Sequence, residues 1–161
     1  MVYTPQVWQD FPSTATPLSA ARMQHIEDGI ADLGADWASY TPTLGGATLG
    51  NGSATGAFVQ IGKTVAFRAQ FTLGSTSTVT GNFTISLPVT ASNGNFVATG
   101  TIEDSGTARL PAMCFGQTTS VLVYAIGTDT TFAYFRPFSA TVPFTWTTGD
   151  FILVSGVYQA V

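Results

Sequence analysis

GAFVQIGKTVAFRAQFTL, residues 56–73, carries the reading of the fold. Val65, Phe67, Ala69, Phe71 and Leu73 alternate with Thr64, Ala66, Arg68, Gln70 and Thr72. Period two over that length predicts a strand with one buried and one wetter face. Phe58 and Ile61 come before the turn Gly62-Lys63, so an arm lies on either side of a reversal.

Downstream the same texture recurs. Phe83, Ile85 and Leu87 alternate until Pro88 stops them, and Asn93-Gly94 marks a turn into a strand at 96–103. A hairpin is expected across Gly116-Gln117, with arms 108–116 and 119–126, followed by short strands at 132–138 and 151–159. In 121–126 and 151–158 both faces are largely apolar, as in a strand lying between two layers, the second layer being open to a neighbouring subunit. About eight short strands at turn-rich spacing predict a mainly β fold, a β-sandwich of jelly-roll type, over residues 38–161. Upstream, 39–44 reads as an edge strand or lead-in because of Pro42. GGATLGNGSATG, 45–56, reads as a glycine-rich connection; it lacks the Lys-Ser/Thr end and following helix of a phosphate-binding loop.

Before the strands, TPLSAARMQHIEDGIADLGADW, 16–37, has a different period. Thr16 before Pro17 is a helix start. Met23, Ile30 and Trp37 form one track of a heptad seam and Ile26 with Leu33 the other, while Gln24, Glu27, Asp28, Ala31 and Asp32 fall off it. Gly29 costs roughly 1 kcal/mol against alanine, and so short a helix is marginal alone. It packs either on copies of itself or on its own globular body. Residues 1–15 read as extended, with Pro5 and Pro12 among Tyr3, Trp8 and Phe11. Those aromatics need a surface to cover, either on this chain or on a larger particle.

With 161 residues the chain suffices for one domain and an appendage. Charged residues are 9%, against roughly 25% in ordinary globular proteins. Thr, Ser and Gly take their place, which suits a durable exterior fold. A net charge of −4 with five basic residues argues against a nucleic-acid partner. The first residues have neither a basic start nor an apolar run, and no window approaches a membrane span, so neither secretion nor membrane insertion is expected. An exterior composition without an export signal suits a virion component, made in a host cytoplasm and released by lysis. Cys114 is alone in the run AMCF and reads as a buried thiol.

Catalytic chemistry finds little material. His25, the single histidine, sits off the seam beside Glu27 and Asp28, and a solvated helix position is its ordinary reading. No cysteine–histidine cluster supports zinc, and a Ser-His-Asp triad would have to use that one histidine. Glycoside cleavage needs two carboxylates. Glu103 and Asp104 are adjacent in a turn-like EDSGT and point to opposite strand faces, while Asp129 and Asp150 precede or begin strands. No catalytic residue, cofactor or metal is expected. Exposed aromatics are the remaining lead, because sugars stack on their faces. Tyr134, Phe135 and Phe138 around Arg136 and Pro137 are the candidate glycan contacts, although most of the twelve phenylalanines must be core.

Two segments resemble a known family. TPLSAARMQHIEDGI, with its lead Val7-Trp8-Gln9-Asp10, resembles the short helical motif of tail-fibre and minor tail proteins from bacteriophages of actinobacteria; Thr16, Pro17, Leu18, Ala20, Met23, Ile26, Glu27, Gly29 and Ile30 fit it. WASYTPTLGG with GNG and GAFVQIGKTVAFRAQF, then ISLPVTA and the closing TWTTGDFILVSGVYQA, is similar to the trimeric β-sandwich heads of such proteins. The resemblance implies a homotrimeric tail protein, attached to other tail or virion proteins by its N-terminal end, with the β head outward. It supplies no catalytic residues. It implies a trimeric coiled-coil collar through Met23, Ile26, Ile30, Leu33 and Trp37, and isoleucine at both seam positions favours three strands. Attachment to the host cell surface by binding, without bond cleavage, is the expected role, with a surface glycan as the candidate partner. An architectural tail or capsid decoration and a cell-wall glycan depolymerase are the alternatives.

Overall fold

The computed structural model describes residues 19–128 and 132–161. Its one helix, α1 (Ala20–Leu33), opens at Ser19, whose extended backbone frees its hydroxyl to accept from the Arg22 amide at 3.4 Å. Thr16, Pro17 and the expected anchor at 1–15 lie outside the described residues. At the other end the Gly34 amide turns back to the Ala31 carbonyl at 3.0 Å. Glycine has the poorest helix propensity after proline, so the helix stops there and the heptad spacing runs on past it. The expected helix over 16–37 is therefore shorter at its C-terminal end, and Trp37 lies outside it.

Ten strands follow: β1 (Ala38–Tyr40), β2 (Leu44–Thr48), β3 (Ser53–Ile61), β4 (Thr64–Thr72), β5 (Thr78–Ser86), β6 (Val97–Asp104), β7 (Ala108–Gly116), β8 (Ser120–Thr128), β9 (Ala133–Arg136) and β10 (Phe151–Gln159). All pair antiparallel in one hydrogen-bonded order, β1-β3-β4-β10-β6-β7-β8-β5-β2, with β9 on β8 beyond the end of β5. The strands form one antiparallel sheet that curls on itself. Its curl follows from chain length. β1 and β2 occupy opposite ends of the order, yet only Thr41-Pro42-Thr43 separates them. Laid flat, nine strands would hold their edges about 38 Å apart, whereas the four Cα steps from Tyr40 to Leu44 reach about 14 Å. The edges must come round toward each other.

β2 corrects the reading of 45–56 as a loop, since that stretch holds most of β2 and the start of β3. Leu-Gly-Gly-Ala-Thr has little strand propensity of its own. Pairing with β5 imposes the strand, and Gly46 shows how. The register slips between Gly45 and Ala47, Gly46 takes φ +78°, and a Cβ there would lie 2.1 Å from the Asn82 carbonyl oxygen. Only glycine fits that bulge.

Curling puts one face of the sheet inside. Val65, Phe67, Ala69 and Phe71 of β4, Phe83 and Ile85 of β5, Ile102 of β6, Val121 and Val123 of β8, and Ile152 and Val154 of β10 are all essentially inaccessible. Cys114 lies among them, and burial pushes its thiol up to about 12. Tyr158 exchanges hydrogen bonds with the Val89 backbone, its hydroxyl donating at 2.7 Å and accepting at 3.2 Å. Tyr40 crosses beneath Gly56 and meets Phe58 edge-on at 5.9 Å. Its hydroxyl is buried with no hydrogen-bond partner among the described residues; burial, helped by nearby Tyr158, raises its pKa above the ordinary phenol range. Asp150 is the one buried charged side chain among the described residues. It accepts from the Thr147 amide at 2.5 Å and the Ser105 amide at 2.9 Å, tying the β6–β7 turn to the start of β10.

Candidate functional site

The residues expected at a subunit interface stand clear of the β body. Met23, Ile30 and Leu33 are 41%, 63% and 67% exposed, Ile26 is half-buried, and no described strand packs broadly on α1. An apolar helix stripe of that size left in water is costly. Trp37 goes elsewhere: its ring lies 5.3 Å from the Arg68 guanidinium on the outer face of β4. Of the five residues expected at the interface, Met23, Ile26, Ile30 and Leu33 lie on α1 and Trp37 lies beyond it.

The aromatic candidates near the end of the chain also separate. Tyr134, Phe135 and Arg136 form β9, exposed along its whole length. Side chains alternate along a strand, so Tyr134 and Arg136 share one face, where the Arg136 guanidinium lies 5.8 Å from the Tyr134 ring. Gly127 opposite is what lets them lie flat, because a Cβ there would come within 2.7 Å of the Arg136 side chain. Phe135 faces the other way. It joins Phe115 of β7 at 5.1 Å and Tyr124 of β8 at 6.5 Å, and those two rings are 5.7 Å apart. Phe138, the remaining aromatic candidate, is core: it stacks against Phe83 at 4.7 Å and belongs to no exposed surface.

The Phe115–Tyr124–Phe135 triad explains the strands that read as apolar on both sides. Val121, Val123 and Ala125 of β8 point inward, whereas Leu122, Tyr124 and Ile126 point outward, with Phe115 and Met113 of β7 opposite Leu122 and Tyr124. Val97, Leu153 and Val157 extend the outer apolar surface across β6 and β10, and all three are exposed. Among the described residues no second layer covers these strands. The sequence signal was sound in pattern but silent about what covers it.

Two of the acidic candidates, Glu103 and Asp150, spend their carboxylates on structural contacts. Glu103 faces Arg109 across β6 and β7 and forms an ion pair with it, while Arg109 also lies 5.8 Å from the Phe151 ring. Asp104 closes the β6–β7 turn by accepting from the Thr107 amide at 2.9 Å through its backbone carbonyl. Asp150 spends both carboxylate oxygens on loop amides. Asp129 lies outside the described residues. Among the described residues no three of His, Cys, Asp and Glu stand together as metal ligands would. What the outer face offers is aromatic and hydroxyl surface on a rigid sheet, chemistry suited to binding. Searches with the chain against protein-family profiles, curated proteins and solved structures returned no match.

Proposed function

We propose that this chain is a structural protein of a bacteriophage tail, of the minor tail or fibre type, which attaches to the host cell surface by binding. The observation that carries the reading is β9, whose Tyr134 and Arg136 on one face and Phe135 on the other are all presented to solvent. Rings held on a strand stack on sugars at little cost in side-chain freedom. In this reading α1 is the trimeric coiled-coil collar: Met23, Ile26, Ile30 and Leu33 meet the same residues of two further copies, and Trp37 flanks the seam. The curled sheet is the head, its two walls serving as the layers of a sandwich. The N-terminal segment joins other tail proteins, and the protein resides in the virion. Threefold presentation multiplies weak single sites.

The test is adsorption of fluorescently labelled protein to actinobacterial cells, run beside its native mass. A trimer that binds cells without releasing reducing sugar is the expected result. Tyr134→Ala should lower adsorption several-fold. Sugar release makes the protein a depolymerase instead, and a trimer that ignores cell envelopes is an architectural decoration.

A further inference from the structure

A second polar feature lies away from β9. Over the outer face of β3, β4 and β10 runs an open trough of about 590 Å³, lined by Thr55, Ala57, Arg68, Gln70, Leu153 and Ser155. Register places these side chains together. Arg68 sits opposite Ala57 on one side and Ser155 on the other, and Gln70 sits opposite Thr55 and Leu153. Small side chains beside Arg68 make the depression; Gln70, Thr55 and Ser155 supply amide and hydroxyl groups along it. Because the trough crosses strands, such groups recur about every 4.8 Å.

Arg68 is the unusual member. Its guanidinium meets the Trp37 ring but forms no ion pair with any described carboxylate, Asp36 beside Trp37 included. An arginine held against an aromatic plate, beside hydroxyl- and amide-bearing neighbours on adjoining strands, is suited to a planar or tetrahedral anion. We propose that this trough binds an anionic saccharide chain. Arg68 pairs with a carboxylate or phosphate of the chain, Trp37 stacks on an adjoining ring, and Gln70, Thr55 and Ser155 hydrogen-bond its hydroxyls. The biological setting of this site rests on the attachment reading above; its chemistry does not.

The experiment is titration of the ¹⁵N-labelled full chain with three probes: an oligogalacturonate, a glycerol phosphate oligomer and a neutral malto-oligosaccharide. One anionic chain should shift the amides of Ala57, Arg68, Gln70 and Ser155 and bind about tenfold more tightly than the neutral one, with affinity falling as salt rises. Which of the two does so separates a uronate carboxylate from a phosphodiester. Arg68→Gln should weaken that binding about tenfold, and Arg68→Lys should fall between, keeping the charge but losing the fork. Unchanged affinity in Arg68→Gln, or shifts confined to β9, would overturn the site. Equal binding of poly-glutamate would overturn its saccharide character. A change in native mass in Arg68→Gln would make the trough a contact between copies instead. Cells that adsorb the wild type and Arg68→Gln equally leave attachment standing and remove this site. Arg68-dependent probe binding without cell adsorption does the reverse.

Discussion

β4 and α1 are both amphipathic in sequence, and they meet opposite fates. Val65, Phe67, Ala69 and Phe71 are inaccessible, whereas Met23, Ile30 and Leu33 remain largely in water. The difference is what each periodicity is coupled to. A strand's apolar face is covered by the curl of the sheet that contains it. A lone helix has no such partner built into its own backbone pairing. Periodicity identifies the face that seeks cover and leaves the cover unnamed.

That contrast can be broken by substitution. Phe71→Ala, fully buried on the covered face, should cost about 3–5 kcal/mol, read as a lower midpoint in denaturant; a loss under 1 kcal/mol would mean that the interior is loosely packed. Alkaline pH attacks the same interior without mutation. Cys114 and Tyr40 are acids whose folded-state pKa values are raised, so the native state favours their protonated forms. Their contribution is complete below the ordinary thiol value of 9.0 and is lost as pH climbs toward about 12. Midpoints measured from pH 8 upward should fall, and fall less steeply in Cys114→Ala. Tyr40→Phe is the finer probe. It removes a buried hydroxyl that has no partner among the described residues, so stability should hold or rise by up to about 1 kcal/mol, and a loss would reveal a bound water. Least should happen to the β body in Ile26→Asp with Ile30→Asp: its melting should shift by less than about 0.5 kcal/mol, while the native mass of the proposed trimer drops to that of a monomer. Melting that falls with the pair would place α1 against the β body, and an intact oligomer would assign assembly to the head alone.

The sheet was legible wherever side chains set the pattern. β7 and β10 run over the residues their alternation marks, and β3 and β4 meet at Gly62-Lys63 as the hairpin signal requires. β2 was not legible, because its glycines express the crowding of Thr84 and Asn82 from a strand far along the chain. The C-terminal end of α1 was obscured by a spacing that continued to Trp37 after Gly34 had stopped the helix. Of the surface candidates, Tyr134 and Arg136 do lie together, but Phe135 parted from them by the same strand alternation that identifies β9. The trough around Arg68 had no local signature at all. Its parts come from three strands and the segment after α1, and only register assembles them.

The short link Thr41-Pro42-Thr43 has a mechanical consequence. A pull arriving through α1 enters the head at β1, which is held to β3 by only three residue pairs. Once those yield, the load does not begin unzipping the sheet from that side, because the next strand in the chain, β2, lies at its far edge. Tension passes along the strap, with Pro42 buried within it, to the ladder between β2 and β5. The β body is held by both margins at once, like a band drawn closed, and a tether attached at α1 tugs on the strap that bridges the sheet's two edges.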